Sequence, residues 1–164
     1  MVLALWVSVA LAEPELSGDW RLAEEPAALA QTHAEAVDRA VASLPWLVRP
    51  MARPFLKNSV QNCQRLQLVL DEAHLGLTCD ERPPLKCSRG SEVTAVEGVD
   101  GSSYAVALEV TASAARLIFT GERGGQKSHF RREGDALLLR KEIFSQHLPD
   151  PIVWEVRYVA SEAP

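Results

Sequence analysis

The chain has 164 residues, 47% of them hydrophobic, and a formal net charge of −5. That length suits one domain burying roughly 70% of its unfolded surface. The acidic balance, with Arg131-Arg132 and Arg140-Lys141 the only adjacent basic pairs, excludes the concentrated basic face that nucleic-acid binding requires.

Residues 1–12, MVLALWVSVALA, are uncharged and apolar. As a helix they would span about 18 Å, too short for a bilayer core of about 30 Å, so no membrane span is expected. The small residues of Ala10-Leu11-Ala12 fit a signal-peptidase site. Residues 1–12 are therefore read as a signal peptide and 13–164 as one exported domain, periplasmic or secreted. The alternative is an apolar first strand or frayed end.

LSGDWRL then opens a strand containing Trp20. In the alanine-rich run that follows, Pro26 suits a first helical turn. Leu29, His33, Ala36, Val37, Ala40, Val41 and Leu44 recur at three- and four-residue steps, giving one apolar helix face. Pro45 stops this helix, Pro50 can start a second, and Pro54 limits or kinks it. The spacing predicts a helical pair over about 26–57, laying Leu47, Met51 and Phe55 on another layer.

From Cys63 onward the period becomes two. Runs around Leu66, Leu68 and Leu70, around Leu75 and Leu77, and from Val93 to Glu97 read as strands. Asp100-Gly101 marks a hairpin before Tyr104, Val106, Leu108 and Val110. Leu117 and Phe119, then QKSHFRR, then ALLLRKEIF, follow between glycine turns, and Ile152, Trp154, Val156 and Tyr158 alternate in the last run. With the opening strand the count is nine. Short antiparallel strands in series make a meander, and a meander of this length commonly closes into a barrel, which removes its edges.

Three cysteines leave at least one without an intrachain partner. Cys79 to Cys87 would close a loop stiffened by Pro83-Pro84; Cys63 to Cys87 is a rival, and three buried thiols are a further reading. The four histidines show no metal-ligand spacing. Nor is there a nucleophile elbow: Gly101-Ser102-Ser103 falls in a hairpin turn, and CSRGS lacks the Gly-x-Ser-x-Gly order. An enzyme, a metal and a cofactor are not expected.

Gly18-Asp19-Trp20 in the first strand, the meander, and a basic residue in the last strand resemble the calycin superfamily, which includes lipocalins and fatty-acid-binding proteins. The resemblance implies a mainly β, up-and-down barrel whose tryptophan, here Trp20 after Gly18, packs across the closed end. It implies a last-strand cation, here Arg157, lying over the indole. Two helices between the first and second strands are similar to the lid of the fatty-acid-binding branch. The carboxylate clamp of that branch, an Arg-x-Tyr pair, has no counterpart, because Arg157 and Tyr158 are adjacent and point to opposite faces.

The expected function is that of a monomer binding a small apolar or amphipathic ligand, with lipids among the candidates. Candidate pocket residues are Leu68, Tyr104, Val106, Leu108, Phe119, Leu139 and Trp154, with Leu47, Met51 and Phe55 at the portal. Which face of each strand points inward, and whether the interior is hollow, stay open here. The alternative function is a filled scaffold whose loops bind a protein partner.

Overall fold

A computed structural model describes residues 15–90, 94–97 and 101–161, apart from the side chain of Phe55. The expected signal peptide lies outside the described residues. The elements are β1 (Gly18–Leu22), α1 (Pro26–Ala42), α2 (Arg49–Ser59), β2 (Arg65–Leu70), β3 (His74–Cys79), β4 (Leu85–Ser88), β5 (Thr94–Glu97), β6 (Ser103–Val110), β7 (Ala114–Thr120), β8 (Gly124–Glu133), β9 (Ala136–Ser145) and β10 (Ile152–Ala160).

All ten strands form one antiparallel sheet in the order β4-β3-β2-β1-β10-β9-β8-β7-β6-β5. β1 lies between β2 and β10, so the chain's first and last strands meet and the sheet curls round. Closure is nearly complete: a parallel bridge from Arg89 to Leu108 spans the seam where β4 and β5 form the two edges. The helices sit between β1 and β2, as the sequence implied. The architecture is mainly β, an up-and-down barrel with a two-helix insertion.

Local chemistry accounts for the helices. Leu29, Ala36, Val37, Ala40 and Val41 are the buried stripe of α1. Its last carbonyls are satisfied from the next element, Arg49 donating from Nε to Leu44 O at 2.9 Å and from Nη2 to Ala42 O at 2.8 Å. Pro54 does not end α2, which runs on to Ser59 and forgoes only the bond that residue 54 would give to Pro50.

Two expectations fail. Among the described residues the strand count is ten, not nine, because Leu85–Ser88 pairs with β3 through Leu77↔Leu85 and Leu75↔Cys87. A sequence rich in proline looks like loop, yet Pro83 and Pro84 stand just before the strand, where no ladder hydrogen bond is required of them. The disulfide joins Cys63 to Cys79, not Cys79 to Cys87, and Cys87 is a buried free thiol. The register explains this. Cys79 pairs opposite Leu66 near the exit of the helical insertion, whereas Cys87 lies opposite Leu75 further along β3.

Candidate ligand site

The barrel has a sealed end and an accessible end. At the sealed end Trp20, 3% exposed, donates from Nε1 to Leu16 O at 3.1 Å. A Cβ at Gly18 would meet that nitrogen at 3.4 Å, so the glycine lets the indole lie close against its own strand. The cation over the indole is Arg132 of β8, with its guanidinium 5.9 Å from the ring centroid. Its Nη1 also donates to Glu15 O at 3.0 Å and pairs with the Glu15 carboxylate at 3.2 Å, while Nε donates to Gly134 O. Arg157 does not fill this role. It is exposed on the outer face of β10, between inward Val156 and Tyr158, and the contacts seen for it are made by its backbone, the N–H to Glu24 and the carbonyl from Ala23 N–H.

Registers fix the inward face. Trp154, Val156 and Tyr158 pair with Lys141, Leu139 and Leu137, which pair in turn with Ser128, Phe130 and Arg132. Ser128 and Phe130 lie opposite Leu117 and Ala115, and Leu117 opposite Leu108. All the alternating residues expected to line the interior therefore share one face. Along that face burial varies. Leu16, Leu66, Leu68, Leu75, Leu137 and Tyr158 are at most 2% exposed. Toward the helical end, inward-facing Leu77, Leu85, Val96, Tyr104, Phe119, Gln126 and Ile143 keep contact with solvent.

A polar strip interrupts the apolar wall beneath the helices. Trp154 Nε1 donates to Asn62 Oδ1 at 3.2 Å, and Asn62 Nδ2 lies 2.8 Å from His33 Nε2. Indole is a donor only, so Asn62 must present its oxygen to Trp154 and its amide hydrogens to His33. His33 Nε2 is then the acceptor and the ring is neutral. Burial and the Lys141 charge both lower its pKa, in agreement. Lys141 Nζ donates to Gln61 O at 2.7 Å and stands 5.8 Å from the Trp154 ring centroid. Gln126 Nε2 donates to Ser128 Oγ at 2.9 Å. Tyr158 donates to Cys63 O at 3.0 Å, and burial raises its pKa.

No family model and no curated protein sequence matches the chain. Solved structures do. The chain superposes on a structure titled REP1-NXSQ fatty acid transporter with TM-score 0.56 and 11% identity, covering 91% of this chain and 98% of the other. A Schistosoma mansoni fatty acid binding protein in complex with arachidonic acid gives 0.53 and 14%, covering 89% and 96%; human cRBP IV gives 0.53 and 15%, covering 90% and 98%. The chain has the calycin-type barrel fold.

Within this calycin barrel the proposed pocket residues divide. Leu68, Val106, Leu108, Leu139 and Trp154 are inward and at most 3% exposed, whereas Tyr104 and Phe119 are inward and partly accessible. Leu47 and Met51 do not line the interior: they are 67% and 80% exposed, beside Trp46 and Val48, on the outside of the helical corner. Phe55 lies in α2, and its side chain is outside the description. The calycin barrel also carries an outer groove of about 340 Å³ over β2–β4, bordered by Gln67, Val69, His74, Gly76 and Lys86. Cys63, Cys79 and Asp80 come within 4.8 Å of one another, but the two sulfurs are bonded together and offer no thiolate.

Sequence reading missed Arg132 and Lys141. Both sit in adjacent basic pairs, Arg131-Arg132 and Arg140-Lys141, of which one member faces out. The available signal was parity, since Arg132 shares a face with Phe130, and Lys141 with Leu139.

Proposed function

We propose that this protein is an exported binding protein that holds a small apolar or amphipathic molecule in the upper half of its barrel. The observation that carries this reading is the solvent contact kept by inward apolar side chains. Inward Leu16, Trp20, Leu68, Leu137 and Tyr158 are sealed, while inward Leu77, Leu85, Val96, Tyr104 and Phe119, toward the helical end, still touch solvent. An inward apolar residue that remains accessible is the lining of a cup. The structural neighbours, a fatty acid transporter and a fatty acid binding protein in complex with arachidonic acid among them, support the same reading. Export is supported by the apolar start and by the Cys63–Cys79 disulfide, which suits an oxidising compartment. Binding is what this lining suits: it is mostly apolar, with Trp154, Asn62 and His33 hydrogen-bonded in series and Tyr158 bonded to Cys63 O.

Native mass spectrometry of protein from an exporting host, followed by calorimetric titration of the stripped protein with decan-1-ol, tests this. A co-purified mass that leaves on denaturation, or saturable one-to-one binding, is expected. Neither a passenger nor binding would overturn the reading. A second reading would then lead, a filled scaffold docking a protein partner through the exposed patch of Trp46, Leu47, Val48 and Met51.

A further inference from the structure

Lys141 is an interior cation without a carboxylate. It faces inward on β9, between Ser128 of β8 and Trp154 of β10. Along its own strand the inward neighbours are Leu139 and Ile143. Among the described residues no ion pair includes Lys141; its one hydrogen-bond acceptor is the Gln61 carbonyl, at the exit of α2. An ammonium has three donors, so two are left to the interior. The other groups around it that can carry charge have the same sign. His33 of α1 packs edge-on to Trp154 at 5.9 Å, and Arg82, from the β3–β4 loop, donates to Gln61 Oε1 at 3.2 Å. The acids adjoining this wall, Glu142 and Glu155, alternate to the outer face, where Glu142 pairs with Lys127.

A cation half out of water, with neutral acceptors only, is incompletely compensated. Burial and Arg82 hold its pKa down to about 8, so it is still largely protonated at pH 7. An anion brought beside it would relieve both terms. The aliphatic wall next to it, Leu139 and Ile143, with Phe119 further round the same face, suits a hydrocarbon chain on the same molecule.

We infer that Lys141, beside Trp154 and beneath Gln61-Asn62, is the head-group site of the barrel and takes the carboxylate of a ligand with an apolar chain. This rests on the ligand-binding reading above and adds the charge of the ligand and the residue that reads it. The site is separate from Arg157-Tyr158, where the arginine faces solvent and the tyrosine hydroxyl is committed to Cys63 O.

The test is calorimetric titration at pH 7 with decanoate and with decan-1-ol, for the wild type, Lys141→Met and Lys141→Arg. Apolar burial alone favours the alcohol, because a carboxylate loses more hydration on entry. With Lys141 reading the head group, decanoate binds the wild type about 10-fold tighter than the alcohol. Lys141→Met reverses that order and leaves the alcohol within about 3-fold of its wild-type affinity, the scale of a volume-conserving change. Lys141→Arg keeps the preference for the acid. Three results would overturn the inference: tighter alcohol binding by the wild type, a preference that survives in Lys141→Met, or equal weakening of both ligands in that variant, which would mark Lys141 as a strut for Gln61. The wild-type order stands as a test even if a variant does not fold. Binding of neither ligand would remove the ligand-binding reading itself, whereas equal binding of both removes only the head-group assignment.

Discussion

At the scale of single residues, two arginines separate cleanly. Arg132 stacks over Trp20 and ties down Glu15, though its side chain remains 36% exposed, so solvent weakens each of those contacts. Arg132→Ala is expected to cost about 1 kcal/mol in urea unfolding, whereas Arg157→Ala stays within about 0.5 kcal/mol. Lys141 gives a pH signature. Its folded pKa, about 8, lies below the ordinary 10.5, so between those values the unfolded chain binds more protons and stability rises with pH. Cys87, whose thiol burial pushes up, works in the opposite sense above its ordinary 9.0. The comparison that isolates the lysine is therefore wild type against Lys141→Met. The variant is expected to be the more stable at pH 7, with the gap narrowing by pH 9.5, as read from denaturation midpoints at both pH values.

At the scale of elements, the hairpin of β7 and β8 depends on a close backbone approach. A Cβ at Gly125 would stand 1.9 Å from Phe119 O, and no rotamer change relieves a clash with a carbonyl. Gly125→Ala is expected to destabilise the fold by about 3 kcal/mol or to prevent it, measured by chemical denaturation. The disulfide ties the exit of the helical insertion to β3, with 16 residues of sequence separation. Replacing both Cys63 and Cys79 by alanine is expected to cost about 3 kcal/mol, mostly through the freedom returned to the unfolded chain. Intact mass of the native protein should show two hydrogens lost. Its third thiol, Cys87 at 1% exposure, should react with a thiol reagent only after denaturant is added.

At the scale of the whole molecule, the sheet is cyclic in all but its seam. β8, β9 and β10 are long and paired on both sides; β4 and β5 have four residues each and stand at the edges. Hydrogen exchange is expected to be slowest in β8–β10 and fastest in β4 and β5. Uniform protection round the barrel would show instead that the seam is no weaker than the rest.

The sequence by itself determined the alternation of the strands and the place of the helical insertion. Alternation at period two separates faces within a strand, and prolines at 26, 45 and 50 bracket the helices, because both signals act over a few neighbouring residues. Every Leu, Val and Trp chosen from that alternation for the interior faces it. Leu47 and Met51 fall in a corner with no such periodicity, and there apolar character alone misplaced them. Only the tertiary structure decided which cation covers Trp20, which cysteines join, that LKCS is a strand, and that a lysine stands within the wall. Those outcomes depend on register between strands far apart in sequence, where a shift of one residue exchanges Arg131 for Arg132 or Arg140 for Lys141.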